Sequence, residues 1–292
     1  MKTRNESTII NLRLFHNWIK SVMTIETVNY LKKNYDIKDI SLLDLAVGRG
    51  GDMLKWLHSG IYDVEGIDID EESIMGNGGA TQRYLKLIKD RKLLNTKGTI
   101  RDKVPDYKFY IYDLSLPSSI GKVDNILDGK KFDIISCQFA IHYFFREESS
   151  LHTIMKIVSK NLKKDGFFIG TTLDGNYILD VMGNNNSFEN NVFSVNLQNI
   201  SGNKYGNTYE ISLGERGEDH YFRDKPSIEY LVSIDELKKV GEEYGLIFLG
   251  VTKFSEWYEK NLKESGHKKI MLSNDEKAFS FLNFSFVFTK KN

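Results

Sequence analysis

The sequence predicts an α/β fold in which a mostly parallel, doubly wound sheet carries helices on both faces. Three observations predict it. The run Leu42-Leu43-Asp44-Leu45 reads as a buried strand, followed by a turn holding Gly48, Gly50 and Gly51 and then by helical spacing from Met53. About twenty residues on, Val64-Glu65-Gly66-Ile67-Asp68 reads as a second strand ending in an acid. Strand-like and helix-like segments then alternate as far as Leu173, which implies parallel pairing.

Ahead of the sheet, residues 7–33 carry apolar residues at helical spacing, from Ile9 and Leu12 through Phe15, Ile19 and Met23 to Leu31. They are expected to form a leading helical segment within 1–36. Strands are expected at 41–46 and 62–67. In the helix after the glycine turn, Met53, Leu54 and Leu57 are expected on one side. Residues 71–95 read as one long helix, weakened in its first turns by Gly76, Gly78 and Gly79. The third strand is Tyr107–Tyr112, ending at Asp113, and the fourth is Phe132–Cys137. A helix over 147–162 should stop at Lys163-Lys164-Asp165-Gly166, with the fifth strand at Phe167–Leu173.

Beyond residue 175 the pattern changes. Gly183–Ser187 and Asn190-Asn191 are polar and turn-rich, as surface loops are. Tyr209–Leu213 and Glu218–Phe222 look like antiparallel additions. Ser233, with Glu236 three residues later, caps an amphipathic helix over Ile234–Tyr244. Leu246–Val251 and Phe281–Thr289 are the closing strands. With no internal repeat or low-complexity tract, residues 1–292 read as one domain that contains an insertion at 183–225.

Lys+Arg and Asp+Glu each total 40, so no global field draws the chain to nucleic acid or membrane. Basic residues do cluster locally, as Arg83, Lys86, Lys89, Arg91, Lys92, Lys97, Arg101 and Lys103 against Asp90 and Asp102. That cluster is either a solvated helix face or a patch for RNA or polyphosphate. The single cysteine, Cys137, excludes a disulfide framework and a thiolate metal cluster, and reads as an inert buried thiol. No metal-ligand spacing is present. The first residues lack an apolar signal segment, and the most apolar stretch is broken by Asp133, Gln138 and His142. A soluble, intracellular protein is expected.

The glycine turn does not match the G-x-G-x-x-G pyrophosphate fingerprint, and Asp52 sits where a phosphate would need bare N–H groups. A ligand with a ribose and no phosphate fits better. S-adenosylmethionine is one, and its sulfonium and ammonium charges suit Asp44, Asp52 and Asp68. Asp44, Asp68, Asp113 and Gln138 all fall at the carboxyl ends of strands, where such sheets bind ligands.

Several segments together resemble the mRNA cap guanine-N7 methyltransferases, most of all the methyltransferase module of capping enzymes from large DNA viruses. They are Leu12-Arg13-Leu14-Phe15-His16-Asn17-Trp18-Ile19-Lys20, the strand–turn–helix at Leu43–Trp56, Gly66-Ile67-Asp68, Ser136-Cys137-Gln138-Phe139-Ala140-Ile141-His142-Tyr143-Phe144, and Ile228-Glu229-Tyr230-Leu231-Val232. The resemblance implies a class I S-adenosylmethionine-dependent methyltransferase fold: Rossmann-like, seven-stranded, with extra antiparallel strands. It implies that Lys20, Asp68, Asp113, Gln138 and Tyr143 hold S-adenosylmethionine with the turn around Gly48, joined by Asp44, Ala46 and Asp52. The product would be S-adenosylhomocysteine.

On the cap side the resemblance implies His16, Asn17, Phe139, His142, Tyr143 and Glu229 around the guanine, with Arg49 and Arg83 toward the triphosphate bridge. The insertion at 183–225 would form part of that site. The implied partner is capped RNA (a GpppN end), with triphosphatase and guanylyltransferase modules fused or associated, acting in a host cytoplasm or virion if viral. The chain departs from the family at Ala46, where a glycine is usual, and at His16, where an asparagine is usual. A tyrosine is usual in the last strand, where this chain offers Phe281, Asn283 and Phe284; Asn283 is expected on the cap side in its place, and one wall of the guanine site is left unassigned.

Guanine N7 carries no proton, so its methylation needs no general base. It needs in-line geometry, a dry site and negative potential. Glu229, Tyr143 and His142 are therefore expected to act by position and charge. Two other classes fit part of the pattern: a small-molecule methyltransferase, and a non-catalytic subunit of an RNA-processing assembly.

Overall fold

A computed structural model describes residues 9–95, 103–214, 226–264 and 268–291, with the side chains of 91–95 excepted. In chain order the elements are α1 (Ile10–Tyr35), β1 (Ser41–Leu45), α2 (Met53–His58), β2 (Asp63–Asp68), α3 (Glu71–Met75), α4 (Ala80–Asn95), β3 (Asp106–Ile111), α5 (Ser119–Leu127) and β4 (Phe132–Gln138). A 3-10 turn (Ile141–Arg146), α6 (Glu148–Asn161), β5 (Leu162–Leu173), α7 (Gly175–Met182), β6 (Ser187–Glu189), β7 (Phe193–Asn199), β8 (Thr208–Leu213) and β9 (Ser227–Tyr230) follow. The chain closes with α8 (Ile234–Glu243), β10 (Leu246–Lys253), α9 (Phe254–Lys263), α10 (Asn274–Ser280) and β11 (Asn283–Lys290).

The main sheet has seven strands in the order β10-β11-β5-β4-β1-β2-β3, parallel except at β11. The strand order reverses between β1 and β4, which makes the carboxyl edge there the crevice for a ligand. Central strands are buried on both faces, as in β1 and β4, so they read as continuous apolar runs. One core cluster, around Leu43, Ile135, Phe168 and Phe286, packs α5, α6 and α8 on one face. A second, around Phe15, Trp56, Ile134 and Ile169, packs α1, α2 and α9 on the other. A second, antiparallel sheet, β6-β7-β8-β9, carries its own core of Val195, Tyr209, Ile211 and Leu231 against α7.

Expected and observed elements differ in a few places. The long helix expected over 71–95 is two helices, because Gly78 adopts φ 68 and Gly79 lets its backbone approach the carbonyls of Ser73 and Ile74, where a Cβ would lie 2.8–2.9 Å from them. The segment Lys163–Gly166, expected to stop a helix, already belongs to β5, and α6 ends at Asn161. The buried side of α2 is Met53 and Trp56, whereas Leu54 is exposed. Ser233 does cap α8 by accepting from the Glu236 N–H, but the Glu236 carboxylate turns to Lys204 and Tyr205. The short helices α5, α7, α9 and α10 and the 3-10 turn carry no counterpart in the sequence reading. The strand expected at Glu218–Phe222 lies outside the described residues.

Ala46, which leaves β1 and enters the glycine turn, has φ 65, a left-handed conformation that costs a Cβ-bearing residue about 1–2 kcal/mol. Glycine takes that conformation without steric cost. Ala46→Gly is therefore expected to stabilise the chain by about 1 kcal/mol, read as a higher urea midpoint with unchanged slope. A lower midpoint would mean that the alanine methyl contributes packing that outweighs the strain.

Candidate active site

At the carboxyl edge of the main sheet a cavity of about 700 Å³ opens between the two sheets, within the range of small-molecule sites. Four strand ends supply its floor. Ala46 and Gly48 come from the turn after β1, Asp68 from β2, Asp113 from just beyond β3, and Gln138 from β4. Phe139 and Tyr143 form one wall, and Ile228 and Tyr230 of β9 face them from the second sheet.

Each floor group is held by its neighbours. The Asp68 carboxylate accepts the Gly48 N–H at 2.6 Å and the Asp70 N–H at 2.9 Å, so one side chain ties the glycine turn to the end of β2. Asp113 accepts from the Ser115 N–H and hydroxyl at 2.9 and 2.6 Å. The Gln138 carbonyl accepts from Thr171, and its amide donates to Ser136. These bonds fix the side chains before any ligand arrives and leave acceptor capacity on both carboxylates. An extra Cβ on Gly48 would meet nothing within 4 Å, so a ligand can approach the backbone there. A cavity of this size, floored by carboxylates from successive strand ends, suits a ribose and a cationic sulfonium.

Lys20, Asp44 and Asp52 are not among the residues lining this cavity and instead form a largely buried cluster beside its wall. The Lys20 ammonium lies 2.7 Å from Asp52, and that of Lys55 lies 2.8 Å from it. Burial pushes the Asp52 carboxyl pKa up, but Lys20 and Lys55 outweigh it and hold Asp52 below the usual carboxylate range. Asp44 has no such pairing. Burial, reinforced by the Asp52 charge, raises it well above the usual range. The Lys20 ammonium is 5.9 Å from the centre of the Phe139 ring, so the cluster abuts the cavity wall.

Phe139 itself has φ 55, a strained conformation for an aromatic residue. Its ring stacks on His16 at 5.4 Å, and Phe279 stacks on the imidazole from another side at 6.0 Å. The His16 Nε2 lies 3.0 Å from the Ser280 hydroxyl. Burial, then the Lys20 charge, lowers the His16 pKa to about 3, so the ring is neutral. His16 thus backs the wall and does not face the cavity. Asn17 is half-buried, and its carbonyl accepts from Ser21.

Glu229 lies on the other face of β9 from Ile228 and Tyr230, as strand alternation requires. It is paired in register with Tyr209 of β8, whose hydroxyl donates to its Oε2 at 2.8 Å. The His142 Nε2 sits 3.7 Å from the same oxygen, too far for a hydrogen bond. That nitrogen is buried without a hydrogen-bond partner, and burial, opposed by Glu229, keeps the imidazole pKa below its usual value. The His142 and Tyr143 rings lie 4.1 Å apart, so Tyr143 joins this buried group to the cavity wall. The sequence reading missed Tyr209, and its only signal was the strand expected at Tyr209–Leu213.

The remaining expected residues stand apart. Arg49 donates to the Asn77 carbonyl at 2.8 Å and lies 3.8 Å from Glu72. Arg83 donates to the Gly78 carbonyl and lines a separate cavity of about 250 Å³ with Gly50, Gly51 and Lys86. The side chains of Arg91, Lys92, Lys97 and Arg101 lie outside the described residues, so the basic cluster is seen only in part. Asn283 turns its amide to the Phe279 and Ser280 carbonyls at 3.1 and 3.0 Å, which leaves its Oδ1 buried without a hydrogen-bond partner. Cys137 is fully buried, and burial raises its thiol pKa, in keeping with an inert role. Among the described residues no His, Cys, Asp and Glu group could hold a metal, and no helix is long and apolar enough to cross a membrane.

Comparison with known proteins gives one consistent result. Residues 1–281 match the model of the mRNA (guanine-N(7))-methyltransferase domain. An mRNA cap guanine-N(7) methyltransferase of Drosophila melanogaster is 29% identical over 272 residues, covering 91% of this chain. The chain spans 60% of that relative's length. A probable mRNA-capping enzyme of Acanthamoeba polyphaga mimivirus is 27% identical over 89% of the chain and 21% of its own length. In fold, an S-adenosylmethionine-dependent methyltransferase from Clostridium acetobutylicum superposes with a TM-score of 0.56 at 15% identity, covering 96% of this chain and 97% of its own.

The neutral His16 has a consequence for stability. Unfolded, its pKa is 6.5, and folded it is about 3, so the unfolded chain takes up the proton first as pH falls. The contribution is complete above pH 6.5 and drains away as pH drops toward 3. His16→Asn is expected to flatten the dependence of the urea midpoint on pH across that window. An unchanged slope would show that the imidazole is protonated in place.

Proposed function

The chain belongs to the mRNA (guanine-N(7))-methyltransferase domain family, and from that premise we propose that it transfers the methyl group of S-adenosylmethionine to N7 of the guanine cap of GpppRNA. The observation that carries this reading is the buried Glu229 carboxylate, beside an unpartnered His142 nitrogen and joined through Tyr143 to a cofactor-sized cavity. A hydrolase or redox enzyme would need a nucleophile, base or metal there. A methyl acceptor with no proton to lose needs only position and charge.

In this reading S-adenosylmethionine, when bound, supplies an activated methyl group on a sulfonium sulfur. Asp68 accepts from the ribose hydroxyls, and Asp113 and Gln138 hold the adenine end. The Lys20–Asp52–Lys55 cluster sets the potential behind the methionine end. Glu229 accepts from guanine N1–H and the exocyclic amine, and its attraction for the ring grows as the ring becomes cationic. Tyr143 and His142 shape the approach and keep water out, and Asn283 lies on the side left open by the missing tyrosine. Arg49 and Arg83 guide the triphosphate bridge, and the 183–225 insertion forms part of the cap site within a single domain. The mimivirus similarity supports a setting beside triphosphatase and guanylyltransferase modules, fused or associated.

The test is methyl transfer to GpppA-ended RNA, scored by nuclease release of the methylated cap, with small amines and phenols as competing acceptors. Transfer to the cap is expected. Glu229→Gln keeps the shape and removes the charge, and it should lower kcat by about 10- to 100-fold while leaving S-adenosylmethionine binding intact. Wild-type turnover by Glu229→Gln, or transfer to small acceptors alone, would favour a small-molecule methyltransferase.

A further inference from the structure

We propose that Tyr209 is a positioning residue for guanine recognition, its hydroxyl fixing which Glu229 oxygen meets the base; this rests on the cap-methylation reading above. The geometry is specific. Tyr209 of β8 and Glu229 of β9 are directly opposed in an antiparallel pair. Tyr209 is 0% exposed and packs in the core of the second sheet with Val195, Ile211 and Leu231, so its ring cannot swing away. Its hydroxyl donates to the Glu229 Oε2 at 2.8 Å, a charge-assisted bond.

The groups that face the carboxylate come from two elements. Tyr209 approaches from β8, and His142 with Tyr143 approach from the 3-10 turn. His142 is 3.7 Å from the oxygen that Tyr209 already holds, and its imidazole is buried and neutral. Tyr209 is thus the one described side chain that hydrogen-bonds Glu229. Among the described residues, Oε1 takes no hydrogen bond from the protein.

The consequence is a division of labour within one carboxylate. Oε2 is anchored, which fixes the plane and rotamer of the group. Oε1 keeps its lone pairs free, as an acceptor for a donor on the ligand. A carboxylate free to rotate would trade its two oxygens and blur the distinction between guanine and a base lacking one donor. Burial, and then the Glu229 charge, keeps the Tyr209 phenol protonated far beyond neutral pH, so the donor is always present.

Two changes are therefore expected for Tyr209→Phe. The ratio kcat/KM for GpppA-ended RNA falls by about 10- to 100-fold, the size of a lost hydrogen bond to a charged group. Discrimination between a guanosine cap and an inosine cap, which lacks the exocyclic amine, shrinks. Affinity for S-adenosylmethionine, measured by calorimetry, stays as in the wild type and reports that the variant is folded. If Tyr209→Phe does not fold, 3-fluorotyrosine at this position keeps the shape and strengthens the donor, and discrimination between the two caps should then widen.

Glu229→Gln is measured in parallel. If it is impaired while Tyr209→Phe, or the fluorinated chain, keeps the wild-type rate and cap discrimination, the positioning role is overturned. If Glu229→Gln is itself indistinguishable from wild type, the guanine-recognition reading fails instead, and the positioning role falls with it.

Discussion

The carboxylate of Asp68 is the constraint on which the site is built. It accepts N–H groups from Gly48 and Asp70, and so joins the turn after β1 to the end of β2. Above it, the N–H groups of Ala46 and Val47 both converge on the Ile67 carbonyl, so the chain leaves β1 in one fixed direction. Left-handed conformations at Ala46, Gly48 and Gly50 complete the reversal. The carboxyl edge of the sheet is thereby kept open while the backbone groups around it are satisfied internally.

Behind this edge the charges are sorted by burial. Two ammonium groups converge on Asp52, which keeps that carboxylate ionised in a poorly hydrated place. Asp44, close by and without a partner, is pushed toward its neutral form. Taking a partner from Asp52 would leave a buried charge uncompensated, which costs far more than the pair contributes when intact. Asp68 and Asp113, which line the cavity along with Asp70, are instead held by backbone and hydroxyl donors. They therefore remain available to a ligand that brings hydroxyls or positive charge.

Much of this was legible in the sequence because it is local. The Leu42–Leu45 run, the glycine turn and the strand ending at Asp68 are contiguous signals, and the strand-end positions of Asp68, Asp113 and Gln138 followed from them. What escaped depends on contacts between distant segments. The left-handed Gly78 and the close approach at Gly79 split one expected helix into two, which a count of helical residues does not reveal. The short helices α7 and α10 are held by packing against the core of the second sheet. That Lys20 of α1 pairs with Asp52 at the start of α2 depends on how two distant segments pack. Which face of β9 carries Glu229, and that Tyr209 lies across from it, depends on the β8–β9 register. No periodicity within either segment encodes that register.

The central claim is that the carboxyl edge organised by Asp68 holds S-adenosylmethionine through its ribose. Calorimetric titration of S-adenosylmethionine into the wild-type chain and into Asp68→Asn tests it most directly, because asparagine keeps the shape and loses the charge. The account expects one cofactor per chain for the wild type, and an affinity lower by about 10- to 100-fold for the variant. Equal affinities for the two proteins would contradict it.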